Sequence, residues 1–336
     1  NDAAGVEAAV AAVWDDASLP DAHRAHLARR LALTRFALAD HRGALAVTED
    51  AAVRVHEPAA VAAVQAQRAE ILASMGRPAD ALQVLDADPA GDDVEPRVLA
   101  QRCAARSTAA LSLGRFAEAI EAARTGAEAQ AALPEWLARR GAAAHLVNEA
   151  HSYGYSGRFA EARALVEPAL ASAIDSGALA AQVWFRIVLG EIWRDAGYGA
   201  RCLEQFRIAV DLAEPAGQRA SLVWSWVGIA QGHLLRGEID QAAEALAGAD
   251  AAGDSPIATS WGTRERTRAW LHAARGDLTA ARRLVTEVAD VAAAEGMFNF
   301  ESGPRHDLVR FGDAAAGAAR LTELERVVEG PWVQAL

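Results

Sequence analysis

The stretch Tyr155-Ser156-Gly157-Arg158-Phe159-Ala160-Glu161-Ala162 reads as the end of one helix, a glycine stop and the start of another. Its core, Ser156-Gly157-Arg158-Phe159, recurs along the chain. The copies are Met75-Gly76-Arg77-Pro78, Leu113-Gly114-Arg115-Phe116, Ala196-Gly197-Tyr198-Gly199, Arg236-Gly237-Glu238-Ile239, Arg275-Gly276-Asp277-Leu278 and Phe311-Gly312-Asp313. The glycines stand 38, 43, 40, 40, 39 and 36 residues apart, and a degenerate eighth copy puts Ala39 in the glycine's place 37 residues before Gly76. A glycine at such a stop is expected because a helix commonly ends on a left-handed residue, which glycine adopts at the least steric cost.

A second regularity surrounds the turn. Five residues after it stand Ala44, Ala81, Ala119, Ala162, Cys202, Ala242, Ala281 and Gly317. Seven residues before it stand Ala32, Ala69, Ser107, Ala150, Gly190, Ala230 and Ala269, and only the last copy departs, with Arg305. Small side chains at both places let two antiparallel helices approach closely. Composition agrees: of 336 residues 52% are hydrophobic and only 6% aromatic. About a quarter are alanine, which loses no side-chain entropy in a helix. An all-β fold is excluded.

The glycine turn, the paired small residues and the apolar second-helix positions Leu85, Val166, Phe206, Leu246 and Val285 resemble a tetratricopeptide-type repeat array, over nearly the whole chain. The units are longer than the usual repeat of about 34 residues. Their length, with the ending Arg305-His306-Asp307-Leu308-Val309-Arg310-Phe311-Gly312-Asp313, resembles the arrays of large ATP-dependent LuxR-type transcriptional regulators of actinobacteria. In those, the array lies between a nucleotide-binding switch domain and a DNA-binding domain.

The expected fold is therefore all-α: a right-handed, tetratricopeptide-like (TPR-like) α-solenoid of about eight helix-turn-helix repeats and about sixteen helices, held by nearest-neighbour contacts. Residues 1–336 read as a single superhelical domain excised from a longer multidomain chain, since no linker is long enough to divide them. Residues 2–17, with Trp14, read as a lone helix before the first pair. Pro20-Asp21, Asp92–Pro96, Leu133-Pro134-Glu135 and Asp254-Ser255-Pro256 read as turns between repeats, with Pro or Asp suited to helix starts.

Several functions are disfavoured by the residues themselves. The formal charge is −12, from 45 acidic and 33 basic residues, so the chain lacks the cationic surface that binds nucleic acid. Every basic residue is arginine, so no Schiff-base lysine and no phosphate loop of the G-x-x-x-x-G-K-[ST] type exists here. No G-x-S-x-G motif occurs. His145 and His151 flank Asn148 and Glu149 in the wrong order for a zinc protease helix, and His23 with His26 lacks a third ligand. The spacing of Arg264, Arg266 and Arg268 spreads them around a helix rather than along a DNA-contact stripe. Cys103 and Cys202 read as buried reduced thiols, which suits a cytoplasmic setting. No signal peptide and no membrane span is legible, and no catalytic residue, metal site or cofactor is expected.

What remains is binding. In the family that the chain resembles, first helices line a concave groove through positions about thirteen, ten, six, three and two residues before the turn glycine. Six of nine tryptophans fall between Trp184 and Trp270, on three successive first helices. Trp184, Trp224 and Trp270 occupy groove offsets beside Glu191, Gln231, Arg194 and Arg266. Aromatic walls with a few placed polar groups make small-molecule and peptide sites; the competing reading is that the rings fill the core, as expected for Trp193 and Trp226. The resemblance implies a non-catalytic regulatory and ligand-sensing solenoid of a LuxR-type regulator, with a small-molecule or peptide effector in the groove and contacts to neighbouring domains of the parent chain. The alternatives are a free-standing scaffold for a peptide or protein partner and, with least support, a helical enzyme.

Overall fold

The computed structural model describes residues 3–88, 94–215, 218–253, 255 and 257–336; among these every regular element is an α-helix. After α1 (Ala3–Ala11) come the pairs α2 (Asp21–Ala37) with α3 (His41–Arg54), α4 (Pro58–Ser74) with α5 (Pro78–Asp86), and α6 (Pro96–Leu113) with α7 (Phe116–Ala131). Next are α8 (Glu135–Tyr155) with α9 (Phe159–Asp175), α10 (Leu179–Asp195) with α11 (Gly199–Ala213), and α12 (Arg219–Leu235) with α13 (Ile239–Ala252). The series ends with α14 (Ala258–Ala274) and α15 (Leu278–Ala294), α16 (Phe298–Arg310) and α17 (Ala314–Leu324), and the short α18 (Pro331–Ala335). Eight helix-turn-helix repeats are thus present, as the sequence periodicity requires. Asp2, Asp92, Asp93, Asp254 and Pro256, named above in the first helix and two turns, lie outside the described residues.

The turns are left-handed throughout. Gly76, Gly114, Gly157, Gly197, Gly237, Gly276 and Gly312 have φ between +73° and +88°, and Ala39 keeps the same conformation at φ +63°. The residue after each turn donates its N–H to a carbonyl five residues back, as in Arg158 to Tyr153 (2.8 Å), Tyr198 to Trp193 (2.7 Å) and Asp40 to Arg35 (2.9 Å). This closes the helix end by the Schellman pattern. Ala39 adopts it against the steric preference of an L-residue.

Within each pair the small residues meet at the crossing. Ala32, Ala44, Ala69, Ala81, Ser107, Ala119, Ala150, Ala162, Cys202, Ala230, Ala242, Ala269 and Ala281 are all wholly buried. In the last pair Arg305 replaces the small residue, and α17 answers with Gly317, where an added Cβ would come within 2.5 Å of the Arg305 carbonyl oxygen. The Arg305 side chain turns to the buried Glu301 (3.0 Å), which also receives two bonds from Arg320 at 2.8 Å. The first helix is shorter than residues 2–17. Arg24 donates to the backbone carbonyls of Trp14 and of Asp16 (2.8 Å), so the segment after Ala11 runs as turns pinned to α2.

First helices pack on the first helices of neighbouring repeats from α2 to α16, whereas second helices make no comparable contact with one another among the described residues. First helices therefore form the inner wall and second helices the outer one. One coil brings the last repeats back onto the middle ones. Glu329 donates its N–H to the Gly114 carbonyl (2.9 Å), and its carboxylate accepts from Ala117 N (2.7 Å) in the first turn of α7. Trp332 meets the ring of Phe159 edge-on at 5.8 Å, and Leu324, Val328 and Val333 are buried against α6 and α7. No helix among the described residues is long and apolar enough to cross a membrane.

Two outcomes follow. Ala39→Gly should raise stability by about 1 kcal/mol, because it relieves the left-handed alanine, read as a higher urea midpoint. Ala162→Leu or Ala242→Leu should cost about 1–3 kcal/mol by overpacking the crossing, read as a lower midpoint in the same titration.

Candidate functional site

From α4 to α16 the inner wall carries a polar seam that passes from one first helix to the next. On α4, Gln67 and Glu70 accept from Gln101 of α6 at 2.9 and 2.6 Å. Thr108 of α6 accepts from Asn148 of α8 at 3.1 Å. His151 of α8 lies 2.9 Å from Glu191 of α10, and Trp224 of α12 donates its indole N–H to the same carboxylate at 2.6 Å. Arg194 of α10 donates to Gln231 of α12 (2.9 Å), which donates to Thr267 of α14 (2.9 Å). Arg266 of α14 closes the series on Asp307 of α16 at 2.5 and 3.1 Å. Six successive interfaces are bridged by side chains.

The densest part surrounds Glu191, which is 3% exposed. Burial opposes its ionisation, but the His151 and Arg194 charges and the Trp224 hydrogen bond outweigh that and hold the carboxyl below its ordinary range. Arg194 makes a two-point contact with Asp195 at 2.7 and 2.9 Å; burial alone would weaken its charge, and Asp195 and Glu191 more than restore it. Tyr155 stacks on His151 at 5.3 Å and donates to Glu191 at 3.5 Å, and its phenol is pushed well up by burial and by the Glu191 charge. Phe300, arriving from α16, meets Tyr155 edge-on at 5.8 Å, so the returning coil covers this region. A buried charge satisfied from several sides is rigid, and removing one partner strands the others.

The residues singled out from the sequence separate into groups. Glu191, Arg194, Trp224 and Gln231 come together with His151, Tyr155 and Asp195. Arg266 lies further along the seam, joined through Asp307. Trp270 is half-buried at the end of α14, edge-on to Phe311 at 4.8 Å and beneath the Arg310 guanidinium at 4.4 Å. Trp184 is partly buried against the core of the middle repeats. Trp193 is buried between the guanidiniums of Arg163 and Arg201, at 4.3 and 4.4 Å from its ring. Trp226 packs partly buried against the same core.

Sequence reasoning passed over Gln67, Asn148 and Thr267. Each stands nine residues before its turn glycine, and that shared offset was the signal available. Asp307, 1% exposed, was hidden because its partner lies 41 residues away.

The seam offers side-chain amides, hydroxyls and fixed charges, suited to reading polar groups of a bound chain. Behind it, on α11, the Cys202 thiol is wholly buried, and burial pushes it up to about 12. Among the described residues, no group of three or more His, Cys, Asp or Glu is placed to hold a metal.

No family model matches the sequence, and no curated protein matches it. Among solved structures, the fold is similar to that of NprR in complex with its cognate peptide NprX, at 13% identity and TM-score 0.56, over 88% of this chain and 87% of that one. It is also similar to that of a Rap protein complexed with Competence and Sporulation Factor, at 11% identity and TM-score 0.55, over 91% of this chain and 98% of that one. At such identities the likeness is one of fold.

The Glu191 cluster has a definite pH signature. A carboxyl held below its ordinary value contributes stability that is complete above the unfolded value of about 4.5 and is withdrawn as pH falls through the lower folded value. Glu191→Gln should cost about 1–3 kcal/mol at pH 7 and less at pH 3, measured by urea denaturation at both. An equal loss at the two pH values would contradict the charged cluster.

Proposed function

We propose that the chain is a non-catalytic helical-repeat receptor that takes an extended peptide, or a peptide segment of a protein partner, along its inner wall. The observation that carries the reading is the seam itself. Side-chain amides and hydroxyls at Gln101, Thr108, Asn148 and Gln231 occur repeat after repeat on the inner face, and a peptide backbone presents N–H and C=O groups at a comparably regular spacing. The likeness of fold to NprR with its peptide and to the Rap protein with its factor supports the same reading. Trp184 and Trp270, both partly exposed, would supply apolar contacts along the track, and Arg194, Gln231 and Arg266 polar ones, while the buried pair Trp224 and Glu191 would hold that part of the wall in place.

A finer reading is that this solenoid is the effector-sensing part of a LuxR-type transcriptional regulator, a single domain within a longer cytoplasmic chain. It is favoured by the long repeat units and by the segment 305–313. In the parent gene it requires a lysine-containing phosphate loop before this region and a helix-turn-helix after it. Binding would act there through curvature, since each repeat touches its neighbours and small interface rotations add up.

Selection of a random heptapeptide library on the immobilised protein tests the main reading. A consensus should emerge, and its affinity should fall at least about tenfold in Asn148→Ala/Gln231→Ala, each lost hydrogen bond contributing about 1 kcal/mol. The double variant should keep its helical circular dichroism. No consensus, or one that the double variant binds unchanged, would sink the proposal.

A further inference from the structure

The turn glycines share one conformation but not one environment. A Cβ added at Gly76, Gly114 or Gly157 would come within 2.9, 2.9 and 3.3 Å of Met297, Val328 and Trp332 respectively. At Gly197, Gly237 and Gly276 nothing stands within 4 Å. These nearest covering side chains come from the eighth repeat and the segment after it, so the turn edge of the second to fourth repeats carries the end of the array. That end has little else to rest on, because a terminal repeat has one neighbour instead of two. Of its own residues α17 buries only Gly317 and Leu324, and Arg305 of α16 stands where the other crossings have a small side chain.

Residues 328–333 supply the missing support at two points. At the turn of the third repeat Glu329 N–H donates to the Gly114 carbonyl (2.9 Å), the Glu329 carboxylate accepts from Ala117 N (2.7 Å), and Val328 is buried. At the turn of the fourth repeat Trp332 N–H donates to the Ser156 carbonyl (3.3 Å), and the Trp332 ring meets Phe159 edge-on. Gly330, at φ +92°, carries the chain between the two points, where a Cβ would strike Ser156 at 2.8 Å. Of these six residues only Val328 and Val333 are buried. Few buried apolar side chains and exposed hydrogen bonds mark a segment that opens locally without unfolding the whole. Val328 and Val333 share one apolar cluster with Phe298 and Phe300 of α16, and with Tyr155. Phe300 meets Tyr155, which stacks on His151, the partner of Glu191.

We propose that residues 328–333 form a latch, and that its release lifts α16 with Phe300 off Tyr155 and uncovers the Glu191 cluster to the groove. The latch turns a linear array into a closed coil: repeats that touch only their neighbours are joined across 212 residues at Ala117 and Glu329. What the open latch admits rests on the peptide-receptor reading. A chain lying along the seam past α8 and α10 meets Phe300 while the latch is shut, and finds His151 and Glu191 accessible once it is open.

The test needs no peptide. The parent protein and Glu329→Ala/Trp332→Ala are compared by two readouts: trypsin cleavage after Arg326, two residues before the latch, and acylation of His151 by diethyl pyrocarbonate, mapped by mass spectrometry against the exposed His56. In the variant, cleavage should rise at least about tenfold, because it follows the open population. His151 acylation should rise with it, and helical circular dichroism should stay unchanged. Glu329→Ala alone, which removes one exposed carboxylate, serves if the double variant does not fold. Gly157→Ala and Gly197→Ala supply the control: both strain a left-handed turn, but only the first meets Trp332, so only the first should expose His151. Unchanged cleavage after Arg326 would overturn the inference. So would cleavage that rises while His151 stays protected, which would mark a loose tail, or equal acylation in the two glycine variants, which would mark turn strain. The library selection fails independently: without a consensus the latch results still stand, whereas a consensus with His151 indifferent to the latch variants removes the latch alone.

Discussion

Everything in this molecule depends on the close crossing of two helices at a pair of residues with almost no side chain. At each of the first seven crossings the two residues are alanine, serine, glycine or cysteine, and the helix axes can approach until their backbones nearly touch. The left-handed turn serves that contact, since it reverses the chain sharply enough for the second helix to meet the first. Phe206 shows the tolerance: it is wholly buried, and a Cβ added at either Gly190 or Gly228 would strike its ring. Interiors packed to this density admit little change in volume, and each repeat passes its geometry to the next.

Close packing of first helices has a second effect, which is to bring polar side chains on adjacent helices within bonding distance. Along the outer face, pairs such as Arg163 with Glu167 in α9, and Arg158 at its cap with Glu161, are local and half-exposed, where such pairs contribute little. Along the inner face the partners come from different repeats and several are buried. Glu191 with His151, Trp224 and Arg194 is the extreme case. Such a cluster is rigid, because each buried charge is held by several partners at once.

The coil is also closed. Residues 324–333 return to the turns of the third and fourth repeats, where the Glu329 carboxylate serves the start of α7 as a cap supplied from the far end of the array. Met297 reaches the Gly76 turn and Phe300 reaches Tyr155, so the seventh and eighth repeats lean on the second to fourth. The inner wall is consequently covered over the Glu191 cluster by the returning coil.

How much of this was legible follows from the range of the forces involved. The repeat, its turns, the odd Ala39 and the pairing of helices were readable because each is a local demand imprinted at one position: a residue that tolerates positive φ, or a side chain small enough for a crossing. That Glu191, Arg194, Trp224 and Gln231 lie on the sides of α10 and α12 that face each other follows from helical spacing, which decides the face a residue occupies. Which of them meet was not legible. Arg266 and Arg268 look alike in sequence, yet one reaches the buried Asp307 of the next repeat and the other the exposed Asp250 of the preceding helix. Trp184 and Trp224 share an offset, yet only Trp224 donates to Glu191. Rotations between repeats, too small to leave a residue signature, accumulate over the array. They alone set where the last repeats land and which charges face one another across the wall.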